Sequence, residues 1–538
     1  MRKRRAFLIC MVHVIGIIVL LMWQSGVDGQ RVPMSVAYSD EVLGIAIVEN
    51  LDFLGERELQ KTESNPGVLF ENTLLPYDAE SNTLFLSQSM DTQKWVGELV
   101  GEGDFFLCTT QDAYWQKKQD AIRDGYAFGI WLVNEESYYE LKLVVSGMPT
   151  ISIDTESKER IQDGEELQGI IRVFDPDIGS GRFEIHESYV TYHIKGNTSR
   201  RFEKKGYALK LQDYQGQKVD ASLLGMRSDN SWKLNPLYTD NNRIREKTAA
   251  QIWEKFSEAN TELKQDGPRL EYVEVVINNE YEGVYCLVEP VDEDKLGLDK
   301  NDVLYKVVSW NVPSSDDFVT AVADKASTAA GIRINYPKTI TNHTDVWYPM
   351  WDYSQRFYFN PELDYEKALS TVKVENLSDI FMFLMVTSAS DNSYKNLYFA
   401  AEVTENNEYV MKQIPWDLDY TFGNVYDGES ENLTRFAEYY QSIYADSTLP
   451  RLKFENIEEI GSAFLERWNQ YRNTFLNTES ILCLLRENRD YLVETGAMKR
   501  ERERWQEIPV SSDIDQLLQY QENRMAWLDI YFLEWATN

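Results

Sequence analysis

Cysteine is nearly absent from these 538 residues. Cys10 lies in the N-terminal apolar run, and Cys108, Cys286 and Cys483 stand far apart with no C-x-x-C spacing. That excludes a disulfide framework and a cysteine-based zinc site. Histidine is equally scarce, with four residues (His13, His186, His193, His343) and no H-E-x-x-H, which argues against a His-based hydrolase or a transition-metal enzyme. Basic charge is short: 54 Lys and Arg face 88 Asp and Glu, a net charge of −34. Such a balance excludes sequence-independent binding to DNA or to an anionic membrane, because both need a basic face. It fits a solvated acidic surface. With 28 Gly and 15 Pro the chain is not of low complexity. G-x-x-x-x-G-K-[ST], a helix-opening G-x-G-x-x-G and G-x-S-x-G are all missing.

What is present suits a large folded protein. The length allows two to four domains, and 43% hydrophobic content with 14 Trp, 32 Tyr and 23 Phe can fill a sizeable core. Four basic residues precede an apolar stretch from Ala6 to Trp23, so residues 1–30 read as a signal peptide or an N-terminal membrane anchor. The rest of the chain is then exported or at the cell surface, touching membrane only through that segment. Residues 35–147 alternate short apolar runs with turns and read as a small β-rich domain. Beyond them the pattern is mixed. RIREKTAAQIWEKFSEA has helical spacing, YVEVVINNEYEGVYCLVE reads as a hairpin turning at Asn278-Asn279-Glu280, and residues 360–390 look helical. NLYFAAEV and EYVMKQIPWD read as strands, and the last 85 residues as mostly helix.

Two polar clusters are hard to explain by packing. The first runs from Lys195 to Leu211, KGNTSRRFEKKGYALKL, with six Lys and Arg between positions 195 and 210 of an acidic chain. A small, polar, basic turn between strands can cradle phosphate oxygens, although a solvated basic hairpin reads the same way. The second is DNSYKN at 391–396 followed by PWDLDYTFG at 415–423. Asp391 and Asn396 stand five apart, and Asp417 and Asp419 follow the second strand. Hard cations such as Mg²⁺ take carboxylate and amide oxygens of this kind, while N-capping and turn formation are the ordinary alternative. A D-x-x-x-x-N loop, then strand, turn, strand and a further Asp, is the order of a protein-kinase active site, without its H-R-D and D-F-G spellings.

At these motifs the sequence resembles the spore-coat protein H (CotH) kinases. The resemblance rests on KGNTSRRFEKKGYALKL, LLGMRSDNSWKLNPLYTDNNRIREKTAAQIW, YVEVVINNEYEGVYCLVEPVDEDKLG and DNSYKN…IPWDLDYTFGN, in family order over about residues 148–430. It implies an α+β fold: a kinase-like two-lobed core over 148–430, preceded by the β-rich domain and followed by a helical part, 431–538, of the same catalytic unit. It implies Asp391 as the catalytic residue and Asn396, Asp417 and Asp419 as Mg²⁺ ligands. Asn197, Ser199, Lys204, Lys205, Lys210 and Glu289 are the expected ATP-binding residues, with the Lys that touches ATP left open. Arg245 matches a family position of undefined role, and an ordinary helix salt bridge would equally explain it.

The expected function is an ATP- and Mg-dependent protein Ser/Thr kinase, its acceptor an exported or coat protein with Ser or Thr in a basic context, favoured by the acidic surface. A non-catalytic surface scaffold keeping the kinase-like fold is the alternative, and a carbohydrate-associated module using exposed Trp and Tyr is a third reading. No nucleic acid partner is expected, and the oligomeric state is open.

Overall fold

The computed structural model describes residues 38–176, 183–196, 198–404, 406, 408–426, 434–436, 439, 441 and 448–538. The expected leader, residues 1–30, and Asn197 lie outside them. Among the described residues no helix is long and apolar enough to cross a membrane. The chain forms two compact units. The first, through Ser146 with a short piece of chain around Pro176 and Ile185, is strand-rich. Its larger sheet includes Phe106–Thr110, Ala127–Val133 and Ser137–Ser146. Alternate residues Phe128, Ile130 and Leu132 are buried there, as the period of two demands.

The second unit is mixed α and β. Seven strands close a barrel: β1 (Thr150–Thr155), β2 (Glu166–Asp175), β3 (Glu184–Lys195), β4 (Gly206–Gln212), β5 (Ser231–Asn235), β6 (Arg269–Ile277) and β7 (Glu280–Glu289), in the order β1-β2-β3-β4-β5-β7-β6. Barrel closure leaves no open edge. Alternation sorts the side chains. Leu209, Leu211, Trp232, Leu234, Val273 and Val275 fill the interior, while Leu270, Tyr272 and Cys286 face outward and join the main core. The β6–β7 hairpin turns at Asn278 and Asn279, both left-handed at φ 52° and 65°, the conformation a two-residue hairpin loop asks for.

Outside the barrel lie helix α1 (Arg245–Ala259) and a five-stranded sheet. The sheet contains β8 (Val303–Val307), β9 (Thr328–Ala329), β10 (Ile332–Tyr336), β11 (Leu397–Val403) and β12 (Tyr409–Pro415), ordered β9-β10-β8-β11-β12. Residues 360–390 are not one helix. A short helix, Tyr365–Leu369, is followed by α2, Val374–Thr387. Asn376 to Thr387 are all buried, because α2 is the central member of the main core. It ends where Ser388 turns left-handed at φ 53° and the Ala389 N–H bonds back to the Leu384 carbonyl. Helices α3 (Ile457–Arg472), α4 (Thr478–Glu494), α5 (Ala497–Arg504) and α6 (Asp515–Thr537) are among the unit's remaining helices.

Buried charge ties these late helices to the rest. Asp379 of α2 receives Arg467 of α3 through two hydrogen bonds (2.6 and 2.9 Å) and the Tyr471 hydroxyl (3.0 Å). Arg500 of α5 grips Glu274 of β6 with two 2.7 Å bonds. Beside it Glu501 enters the barrel wall, accepting from Lys204 (2.7 Å), Arg243 (2.9 Å) and the Val284 N–H (2.8 Å). Lys204, Arg243 and Glu501 are all fully buried. Position 283 must be glycine for this approach: a Cβ on Gly283 would stand 2.1 Å from Glu501 Oε2.

Candidate active site

The hairpin β11–β12 pairs Leu397 with Pro415, so the loop that precedes it and the loop that follows it meet at one end. Asn392 fastens them. Fully buried, it donates to the Asn396 carbonyl (3.0 Å) and the Trp416 carbonyl (2.7 Å). The Trp416 N–H returns a 3.0 Å bond to Asn396, whose own N–H reaches Val307 of β8 at 3.0 Å. Downstream, the Phe422 N–H donates to Thr387 at the end of α2. Asn396, Asp417 and Phe422 are all left-handed, at φ 57°, 62° and 48°. Asn and Asp tolerate that conformation; for Phe422 it is strained backbone.

Asp391 Oδ2 accepts from Lys395 Nζ at 2.6 Å and from Asn396 Nδ2 at 2.8 Å. Burial raises the Asp391 carboxyl above its ordinary range; Lys395 opposes that shift and the charge of Asp417 reinforces it. Asp419 is held well above the ordinary carboxylate range, by burial first and then by Asp417, Glu246 and Asp391. Its Oδ2 accepts a 2.9 Å bond from Thr239. Four carboxylates therefore act on one another here: Asp391, Asp417, Asp419 and Glu246 of α1. Burial, with Asp417 next, pushes Glu246 to about 7, and Asn235 of β5 donates to it.

Three lysines answer them. On β5, Trp232 and Leu234 point into the barrel, so Lys233 and Asn235 project the other way. Lys233 Nζ lies 3.8 Å from the centre of the Trp416 ring, and Lys306 of β8 lies 4.6 Å from it. Burial lowers Lys233 well below the ordinary lysine value, and Lys306 and Lys195 add to the effect. Burial likewise brings Lys306 to about 8, against the pull of Asp417. Lys195, ending β3, contributes its charge to Glu246, Lys233 and Lys306. Depressed ammonium groups beside raised carboxyls are a pattern that catalytic sites share with buried ion clusters.

Of the residues singled out in the sequence, Asp391, Asn396, Asp417 and Asp419 come together. The expected ATP lysines do not join them. Lys204 is sealed against Glu501 and the Val284 carbonyl (2.6 Å), its Nζ 4.6 Å from the Tyr285 ring centre. Lys205 caps the carbonyls of Arg200 and Phe202 within its own loop. Lys210 is an exposed strand residue paired across the sheet with Thr191 and Ser231. Ser199 lies in the 3₁₀ turn between β3 and β4, close under Gly196. Glu289 is spent on Arg227 (3.2 Å) and Lys295 (2.7 Å). That ion cluster also holds Asp292, whose charge reaches Lys233. The cation that the basic hairpin sends to the carboxylates is Lys195. Lys233, Lys306, Glu246 and Trp416 received no role from the sequence, although NSWKLN, apolar at alternate positions, already put Lys233 and Asn235 on one face of a strand.

The donor set fits Mg²⁺: carboxylate and amide oxygens, with neither sulfur nor imidazole. A divalent cation would relieve the mutual repulsion that raises Asp419. Among the described residues no three His, Cys, Asp or Glu side chains stand close enough to hold a metal by themselves. An ion held by Asp417 and Asp419 would therefore take its remaining oxygens from Asn396, water or phosphate. A cavity of about 1040 Å³, lined by Val303 and Val403, opens at the opposite end of the sheet from Val307 and Leu397 and contains none of these carboxylates.

A family model described as CotH kinase protein matches residues 192–528. Inner spore coat protein H of Bacillus subtilis (strain 168) is 24% identical over 379 residues, 69% of this chain and 92% of that protein. The matched region extends past the motifs that end near residue 430 and takes in α3, α4, α5 and most of α6, the helices that carry Arg467 and Glu501. Since the match spans more than half the sequence and includes every residue of the carboxylate–lysine cluster, the chain belongs to the CotH kinase protein family.

Proposed function

We propose that the chain is an ATP- and Mg²⁺-dependent protein kinase that phosphorylates Ser or Thr on an exported or coat protein. The barrel and α1 serve as the strand-rich lobe and the α2-centred part as the helical lobe of a kinase-like core, with the carboxylate–lysine cluster in the cleft. The observation that carries this reading is the meeting of Asp391 and Asp417 at one end of the β11–β12 hairpin, facing Lys233 and Lys306. Phosphoryl transfer asks chiefly for positioning and charge neutralisation. Asp391, held by Lys395 and Asn396, is oriented to accept the proton of an acceptor hydroxyl. Asp417, Asp419 and Asn396 would hold a cation to neutralise the phosphates, and Lys306, Lys233 and Lys195 would add positive charge toward the phosphate oxygens. Family membership supports the reaction class, and the name of the Bacillus subtilis relative supports a coat setting.

A thermal melt of residues 31–538 tests nucleotide binding. Mg-ATP at a hundredfold excess over its dissociation constant should add about 2.7 kcal/mol to stability, seen as a rise in melting temperature. The rise should vanish in Asp417→Ala and shrink in Lys306→Met. No rise at millimolar Mg-ATP would sink the enzyme reading and favour a scaffold that keeps the fold.

A further inference from the structure

The function proposed above leaves a small built cavity beside the site unused. It has a volume of about 290 Å³, lies at the start of α1, and is lined by Asn242, Arg245, Asn424, Phe436, Gln516 and the exposed Asp513 among others. Arg245 is only 5% exposed. Its Nη1 is occupied, donating to Asp240 and, at 3.1 Å, to Asn242 Oδ1. Its Nε is buried and has no hydrogen-bond partner. The Phe436 ring lies 6.0 Å from the guanidinium carbon. A buried N–H without an acceptor is costly, and the start of the helix does not account for it. The N–H groups of Ile244 and Arg245 already donate to Asp240 Oδ2, at 2.7 and 2.8 Å.

The Nε–Nη2 edge of a guanidinium is a fork that matches two oxygens of a carboxylate or phosphate. Asp240 answers the charge of Arg245, so this cavity selects by the shape of the fork more than by net charge. The surrounding amides are fixed. Asn242 Nδ2 donates to the Ser511 carbonyl (2.8 Å) and the Asp513 carbonyl (2.9 Å). Asn424 Nδ2 donates to the carbonyls of Thr239 and Asp419, both at 3.1 Å. Asn424 thus joins the cavity wall directly to the loop that carries Asp417 and Asp419.

We infer that this cavity is a subsite for an oxyanion carried on a polypeptide side chain, a phosphate ester or a carboxylate, gripped by the Nε–Nη2 edge of Arg245. Its service in recognising an acceptor protein rests on the proposed phosphotransfer; the binding itself does not. Calorimetric titration of the folded chain, without nucleotide or Mg²⁺, uses three probes: an acetylated phosphoserine peptide, its glutamate counterpart, and inorganic phosphate. At least one peptide should bind saturably in the millimolar range, and which of them binds identifies the phosphate ester or the carboxylate as the ligand. Gln516, exposed at the rim, is a site for charge changes that leave Arg245 and Asp240 untouched. Gln516→Lys should tighten binding and Gln516→Glu weaken it, each about fivefold. Arg245→Lys, which keeps the charge but loses the fork, should weaken it about tenfold or more. Asp417→Asn should bind the peptide as the parent does, and a parent chain that binds the peptide but transfers no phosphate from Mg-ATP would sink the kinase reading alone. Binding of neither peptide, binding of inorganic phosphate only, or peptide affinities that none of the Arg245 and Gln516 variants alters would overturn the subsite.

Discussion

Asp417→Asn is expected to reduce phosphate transfer from Mg-ATP to a Lys- and Ser-rich acceptor by about a thousandfold, the scale seen when one group stabilising transferring charge is removed. The melting temperature should barely move. Asp417 sits at φ 62°, and Asn tolerates that left-handed backbone as well as Asp does. The substitution also removes one of the like charges that push up Asp419 and Asp391. Asp391→Asn should cost as much activity for a different reason: the amide cannot accept a proton, although it can still meet Asn396. Radiolabel incorporation and a melt on the same samples separate the two effects. If Asp417→Asn retained a tenth or more of the parent rate, the carboxylate would not be holding the cation.

Glu501→Ala should destabilise the fold by about 3–5 kcal/mol, because removing one partner strands buried opposite charge. Lys204 and Arg243 would be left with no carboxylate at 0% exposure. Pairing Glu501→Ala with Lys204→Met should recover part of the loss, and urea unfolding reads both. The pH dependence follows from the direction of the shift. Burial would raise the Glu501 carboxyl, but Lys204 and Arg243 outweigh it and hold the group below the ordinary glutamate value of 4.5. Its stabilisation is therefore complete above that value and fades as the pH falls through the lower, folded value. Glu501→Gln should flatten the acid side of the stability curve. An acid limb as steep as the parent's would show that the carboxylate gains nothing from its partners.

Local pattern carried much of this into the sequence. The two strands of the β11–β12 hairpin could be read from NLYFAAEV and EYVMKQIPWD, and two strands that return to one end oblige the flanking loops to meet. The carboxylate half of the site was legible for that reason. The lysine half was not. Lys233 and Lys306 reach Trp416 from different strands, one in the barrel and one in the sheet, and no spacing in the chain encodes that approach. The cluster of basic residues in KGNTSRRFEKKGYALKL drew attention to Lys204, yet its partner Glu501 lies 297 residues away. Density of charge along a sequence does not distinguish a lysine that meets ligand from one that is locked into the core.

That separation also fixes the order in which the protein can be finished. Synthesis runs from the N-terminus, so all seven barrel strands exist once Glu289 has been made, while Lys204 and Arg243 still lack the carboxylate that neutralises them. The same holds for α2, whose Met385 carbonyl waits for Arg524, 139 residues downstream. Long waits of this kind leave apolar surface and unpaired charge exposed in the nascent chain. Chains that end before residue 497 carry every residue of the carboxylate–lysine cluster but lack the Glu501 that neutralises Lys204 and Arg243 in the barrel wall, and they belong with aggregates rather than with small active fragments.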